Sequence, residues 1–189
     1  MAFRRYDSLT GDSTGSLITV VIDNSDAINV GDAVKIRNGN VEIGVAGQSV
    51  AGVVVDIVDK FGNSLTPAKG SIAVIGSATR ASDGTITVAS DNETVDLIAA
   101  KIDVSKSTRY SASITGTMGT TGTPTSNEPG GWFDSISTSD GIEETTHTRT
   151  IGSGLTWKGW GVDPNDTARV IVSICESEIF DPSTGAALT

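Results

Sequence analysis

This sequence contains very few of the residues on which catalytic and metal sites depend. Its 189 residues include one cysteine, Cys175, and one histidine, His147. A single cysteine excludes an internal disulfide, and two such ligands in total exclude an ordinary structural zinc site. A Ser or Cys nucleophile needs a base, and nothing in the sequence places His147 beside Cys175. We therefore expect no catalytic residues, no metal site, no cofactor and no enzymatic activity.

Long apolar runs are missing as well. No stretch approaches the roughly 18 to 20 apolar residues that cross a bilayer. The pair Arg4-Arg5 near the N-terminus is not followed by the apolar run of a signal peptide. We expect no membrane contact and synthesis in the cytoplasm.

Basic residues are too few and too scattered to form a phosphate-binding face. Thirteen Lys and Arg stand against 23 Asp and Glu, which gives a net charge of -10 and a pI of about 4.4. The only local basic cluster is Arg4-Arg5. Nucleic-acid binding is therefore not expected, and the scattered acidic residues are typical of a solvated surface.

Short segments rich in β-branched residues follow one another, separated by Gly, Asn and Asp. The clearest is residues 52–58 (GVVVDIV), which is too apolar for a surface strand and is expected in the middle of a sheet. Asn38-Gly39 is a hairpin dipeptide. The other expected strands are residues 16–23, 27–37 with a turn at Gly31-Asp32, 40–45, 71–75, 85–89, 110–114 and 168–175. The sequence predicts an all-β domain, either a small β-barrel or β-tulip-like body or a sandwich, with at most one short helix.

Residues 92–104 fit two structures equally well. Ser90 and Glu93 have the spacing of a capping box, and apolar residues recur after them at helical spacing. Val95, Leu97 and Ala99 also alternate as in a strand. Helix and strand both stay open for this segment.

Composition divides the chain into four parts. Residues 1–15 have no apolar periodicity and are expected to form a flexible N-terminal arm. Residues 16–114 are the expected β-rich core. Residues 115–131 are rich in Thr, Gly, Ser and Pro and are expected to be an exposed loop. Residues 132–189 are expected to form a C-terminal β segment, packed on the core or forming a small protruding lobe.

Two acidic clusters concentrate oxygen ligands but do not match a calcium loop. Residues 163–166 (DPND) and 91–93 (DNE) lack the twelve-residue EF-hand pattern, and turns stabilised by Asp and Asn side chains are the preferred interpretation. Glu143 and Glu144 are adjacent, so on a strand they point to opposite faces, which is poor geometry for shared acid-base chemistry.

The three tryptophans all follow the Gly/Thr-rich stretch. Trp132 comes after a Pro-Gly-Gly turn, and Trp157 and Trp160 are three residues apart. On a strand that spacing places one ring in the core and the other outside. Trp132, Trp157 and Trp160 are candidates for exposed aromatics in a protein interface or a sugar-stacking platform, with closure of the core beneath the loop as the alternative.

Three segments together resemble the capsid decoration, or cement, proteins of tailed bacteriophages. They are residues 29–36 (NVGDAVKI), 40–46 (NVEIGVA) and 51–55 (AGVVV), and the resemblance covers residues 27–76. It implies a β-rich body that assembles as homotrimers, less often as dimers or monomers, on the outside of the capsid, in the virion, after synthesis in the host cytoplasm. The partners would be the major capsid protein, whose neighbouring copies it bridges, and further copies of itself.

Decoration proteins frequently carry an N-terminal arm that orders on the shell. In this chain the arm's candidate contacts are Phe3, Tyr6 and Leu9 as anchors and Arg4 and Arg5 for acidic groups. On this hypothesis, deleting residues 2–14 leaves the fold intact and abolishes shell binding. The alternatives are a low-copy tail, baseplate or fibre-associated component, or a carbohydrate-binding module that uses the tryptophans.

Overall fold

The structure is a computed structural model that describes residues 3–8, 16–44, 50–66, 76–113, 132–135, 142–144 and 157–174. These residues form antiparallel β-sheets and contain no helix, which confirms the all-β prediction. The expected strand at residues 71–75 and the loop at 115–131 lie outside the described residues, as do His147 and Cys175. Within the described ranges, no helical segment has the length and hydropathy to cross a bilayer.

The described residues form fourteen strands, which are distributed over three sheets. Sheet A has the order β1-β10-β14-β13-β11-β12, sheet B has the order β2-β9-β6-β4-β5, and sheet C has the order β3-β8-β7. The strands are β1 (Phe3–Ser8), β2 (Leu17–Val21), β3 (Ala27–Ile28), β4 (Ala33–Arg37), β5 (Asn40–Ile43), β6 (Gly52–Val58), β7 (Thr79–Arg80), β8 (Ile86–Thr87), β9 (Ala99–Asp103), β10 (Thr108–Ser113), β11 (Trp132–Ser135), β12 (Ile142–Glu144), β13 (Trp157–Asp163) and β14 (Asp166–Ile174).

Sheet B follows the sequence pattern closely. The apolar run at residues 52–58 is β6, the central strand, and both of its ends are buried. Asn38 and Gly39 have φ values of 51° and 86°, so the predicted hairpin joins β4 to β5. Ile22, just beyond β2, forms a single parallel bridge with Val41 of β5. The sheet therefore curls strongly, but in the described residues no continuous ladder closes it into a barrel.

In residues 92–104 the structure shows turns followed by a strand, and no helix. Residues 90–96 form turns and Ala99–Asp103 is β9. The buried side chain of Asn92 organises the turn: its Nδ2 donates to the carbonyl oxygens of Ile22 and Ile98, and its Oδ1 accepts from the Ile98 N–H. These hydrogen bonds satisfy backbone groups of Ile22 and Ile98, so the turn is stable without the hydrogen bonds of a helix.

Two apolar cores hold the sheets together. One fills the curl of sheet B under sheet C and contains Ile22, Ile57, Ile86, Ile98 and Ile102 among its members. The other lies between sheets A and B, where Ala33, Val50 and Val53 meet the inner face of sheet A, including Val170 and Val172. The described body is thus sandwich-like, with sheet A packed on sheet B.

The arm prediction is wrong for residues 3–8. Phe3–Ser8 is β1, which pairs with β10 along the edge of sheet A, and Phe3 is only 1 % exposed. Of the side chains described in this segment only Phe3 is buried, so the strand is anchored by one aromatic ring and its sequence shows no apolar alternation. Deleting residues 2–14 would remove this strand, so we now expect the deletion to destabilise the fold. Residues 9–15 lie outside the described part.

Candidate functional site

The outer face of sheet A carries the residues with the most recognition chemistry. Its inner face is set by Phe3 of β1, Tyr110 of β10 and Trp157 of β13, whose rings form one cluster. Phe3 stacks on Trp157 at 4.4 Å between centroids, and Tyr110 meets both rings edge-on. Because side chains alternate along a strand, their neighbours point outward, away from sheet B.

A row of cations and aromatic rings runs across this outer face. Register places Arg109 of β10 opposite Ser173 of β14, and Ser173 opposite Lys158 of β13. Tyr6 flanks one end, with its ring centroid 5.8 Å from the Arg109 guanidinium carbon. Trp160 flanks the other end, with its ring centroid 5.0 Å from Lys158 Nζ. We call Tyr6, Arg109, Ser173, Lys158 and Trp160 the aromatic row.

The rings of the aromatic row are held in position rather than loosely exposed. Trp160 Nε1 donates to Ser173 Oγ at 2.9 Å, and Tyr6 sits at the bulge of β1 between Arg5 and Asp7. Trp160 is 38 % exposed and Tyr6 37 %. Partly exposed Trp and Tyr next to cations are typical of protein-binding surfaces, where rigid rings lose little entropy on binding.

A buried polar network lies beside the row. Arg169 is 5 % exposed and donates from Nε to Ser111 Oγ at 2.9 Å and from Nη1 to Ser113 Oγ at 2.7 Å. Ser111 Oγ in turn donates to Asp163 Oδ2 at 2.5 Å. Burial, reinforced by the nearby charge of Arg4, lowers the pKa of Arg169. This network fixes β10 against β14 and is satisfied internally, so it is structural.

Asp163 belongs to a turn rather than a calcium site. Its Oδ1 accepts from the Asn165 N–H at 2.9 Å, which is the turn geometry that the sequence favours. Burial disfavours its charged form, but hydrogen bonds from Ser111 and Asn165 and the charge of Arg169 outweigh burial and lower the pKa of Asp163. Among the described residues, no group of three or more potential metal ligands is arranged to hold an ion.

The arm candidates divide between core and surface. Phe3 is a core residue and is not available as a shell contact, because its ring is stacked on Trp157. Arg4, Arg5 and Tyr6 are exposed. Leu9 lies outside the described residues.

The tryptophan candidates divide in the same way. Trp157 is fully buried, so it cannot belong to a surface platform, whereas Trp160 points outward. Their spacing of three therefore gives one core ring and one outer ring, as predicted. For Trp132 only its position in β11, opposite Lys158, is described. Glu143 and Glu144 are successive residues of β12.

Arg109 and Lys158 are functional candidates that the sequence alone does not identify. No local signal marks them, because they come together only through the pairing of β10, β14 and β13. Searches for a matching protein family, for similar characterised proteins and for similar solved structures found no match.

Proposed function

We propose that this chain is a structural protein of a virus particle that binds the outside of the capsid shell and cements neighbouring shell subunits. The residues that resemble decoration proteins support the proposal by their place in the fold. Residues 29–36, 40–46 and 51–55 contribute to β4, β5 and β6, adjacent strands of sheet B. The resemblance thus covers one contiguous half of a sheet rather than scattered loops.

The position of β1 is the observation that carries the proposal. Among the described strands, β1 is one of the two edge strands of sheet A and pairs only with β10. An edge strand offers backbone groups to which a neighbouring protein can add a strand. Arg4 and Arg5 are exposed on β1 and are suited to acidic groups of the shell. Phe3 does not itself contact the shell on this proposal. It anchors β1, the strand that presents Arg4 and Arg5.

Repetition makes such a contact effective. A short strand pairing with a few ion pairs is weak by itself, but many identical copies on a closed shell act together. Each bound copy that touches two shell subunits opposes their separation. Assembly of the chain as a homotrimer, with three such contacts linked, would raise the effective affinity further.

Shell binding can be tested by cosedimentation of the purified protein with expanded shells that lack it. The informative variant is Arg4→Glu/Arg5→Glu, and Leu17→Ser is the control because Leu17 is 51 % exposed on sheet B. We expect the wild type and the control to sediment with the shells and to raise the temperature at which the shells disrupt, and the charge-reversed variant to remain in the supernatant. Equal binding by the charge-reversed variant would exclude β1 as the contact, and no binding by the wild type would refute the proposed function.

A further inference from the structure

The exposed large apolar side chains of the described residues fall into two groups by their place in the fold. Six such side chains are exposed: Tyr6, Leu17, Phe61, Val95, Leu97 and Trp160. Tyr6 and Trp160 belong to the aromatic row, beside Arg109 and Lys158. Phe61, Val95 and Leu97 lie in loops that are rich in carboxylates. Leu17 belongs to neither group.

The second group lies at one end of sheet B. Val58, the last residue of β6, pairs with Ala99, the first residue of β9. The loop that leaves β6 therefore emerges at the same end as the loop that enters β9. Phe61 is in the first loop, 73 % exposed, and Val95 and Leu97 are in the second, 50 % and 38 % exposed. We call these three residues the apolar tip.

Both loops of the apolar tip are rigidly built around a buried side chain. Asp59 Oδ1 accepts from the backbone N–H groups of Phe61 and Asn63, each at 2.8 Å, and the side chain of Asn92 organises the other loop. Leu97 has a φ of 52°, a conformation that costs a non-glycine residue energy. These loops hold apolar side chains in water at a cost, which is typical of surfaces that bind a partner.

The charge at the apolar tip is the opposite of that in the aromatic row. Within residues 59–62 and 91–97 the acidic residues that reach the surface are Asp91, Glu93 and Asp96, since Asp59 is buried. The only basic residue of these two ranges is Lys60, whose Nζ lies 5.8 Å from the centroid of the Phe61 ring. In the aromatic row the charged members are Arg109 and Lys158, with Asp7 at the register position opposite Arg109. Of the other acids of sheet A, Asp163 and Asp166 lie at the β13–β14 turn, at the other end of β13 from Lys158. Asp134 of β11 and Glu143 of β12 pair with each other in the two strands beyond β13.

We propose that the apolar tip of one copy of this chain docks on the aromatic row of a second copy. The two surfaces cannot meet within one copy, because the aromatic row faces away from sheet B and the apolar tip lies at one end of sheet B. A contact between two different surfaces is head-to-tail, so every copy uses both, and a suitable rotation closes the copies into a ring. Phe61 is the central anchor of this contact, and Lys158 faces the carboxylates of the tip.

Charge favours a second copy over another occupant. Two chains with a net charge of -10 repel each other in most orientations. In a head-to-tail contact the cations of one copy's aromatic row meet the carboxylates of the other copy's apolar tip. Electrostatic attraction therefore favours this orientation over the others. Both complementary halves are present on the same molecule, and each combines aromatic or aliphatic side chains with its charges.

This inference rests on the proposed function in one respect: the homotrimer to which the two surfaces are assigned is expected from that function. Its test uses purified protein without shells. A failure here therefore leaves shell binding untouched, and a failure of shell binding leaves the self-association measurable.

The experiment is sedimentation equilibrium of the full chain and four variants over a range of concentrations. We expect the wild type to associate, and Phe61→Ser and Lys158→Glu to weaken association by about tenfold or more, as loss of an interface anchor does. The control Leu17→Ser removes a comparably exposed apolar side chain outside both surfaces and should associate like the wild type. The double variant Lys158→Glu/Asp91→Lys exchanges the charges across the contact and should recover much of the association lost in Lys158→Glu.

Three results would overturn the inference. One is a wild type that stays monomeric at the highest concentration. Another is a Leu17→Ser variant that is as weakened as Phe61→Ser. The third is a loss with Lys158→Glu that the added Asp91→Lys leaves unchanged, which would indicate that Lys158 contacts another surface. Circular dichroism melts of each variant establish that weakened association is not loss of folding.

Discussion

The ring of Phe3 lies on the indole of Trp157, with 4.4 Å between the ring centroids and 22° between the ring planes. The two residues are far apart in the sequence, and neither has more than 1 % of its surface exposed. Their contact, together with Tyr110, fastens the edge strand β1 to the core between sheets A and B. Residues 3–8 are therefore part of the folded body, and their outward side chains are presented from a fixed strand.

Replacing Phe3 with alanine should destabilise the whole domain. The substitution removes a fully buried ring together with its contacts to Trp157 and Tyr110, which typically costs about 3–5 kcal/mol. Tyr6→Ala, at a partly exposed position of the same strand, should cost less than about 1 kcal/mol. Urea unfolding followed by tryptophan fluorescence measures both. Similar values for the two variants would show that β1 is not anchored as described.

Gly52 should tolerate no side chain. A Cβ atom at this position would overlap the carbonyl oxygen of Asp103 and would lie 2.5 Å from Ile102 Cγ2. Backbone of the neighbouring strand β9 cannot move away without disturbing sheet B, so Gly52→Ala should cost about 1–3 kcal/mol or more.

The matched control for Gly52 is Gly39→Asn. A Cβ atom at Gly39 would have no neighbouring atom within 4 Å, and the positive φ of this residue is one that asparagine adopts more readily than other residues. Thermal unfolding should show a large loss for Gly52→Ala and a small change for Gly39→Asn. The reverse order would contradict the close approach of β6 and β9.

Asp163 should make stability sensitive to acid. Its pKa is lowered in the folded state, so its contribution is complete above the ordinary carboxyl pKa of about 3.9 and is lost as the pH falls through the lower, folded value. Asp163→Asn should therefore reduce the free energy of unfolding at pH 7, by about 1–3 kcal/mol. The difference from the wild type should shrink as the pH falls below about 4. A difference that is constant with pH would show that the charge of Asp163 is not the stabilising feature.

Local patterns in the sequence predict the β4, β5 and β6 part of sheet B well because these strands are apolar and follow one another in the sequence. The run at residues 52–58 coincides with β6, and the dipeptide at 38–39 forms the predicted hairpin. Alternation likewise predicts one ring inside and one outside for Trp157 and Trp160, and in the structure Trp157 is the buried one. Each of these features depends on neighbouring residues alone.

Sheet A shows what local patterns cannot supply. β1 has the sequence FRRYDS, in which a single buried ring replaces the usual alternation. Its pairing with β10 joins residues about a hundred positions apart, and the aromatic row exists only after β10, β14 and β13 have paired. Arg109 and Lys158 are separated by nearly fifty residues, so neither has a local pattern that marks it as part of a surface.

The central claim is that this chain decorates the whole shell of a virus particle. The most direct test is its copy number relative to the major capsid protein in purified particles, measured by quantitative mass spectrometry. Decoration predicts a copy number of the same order as that of the shell protein, since repeated weak contacts act only in large numbers. A few copies per particle would indicate a tail or portal component and contradict the claim, as would complete absence from the particle.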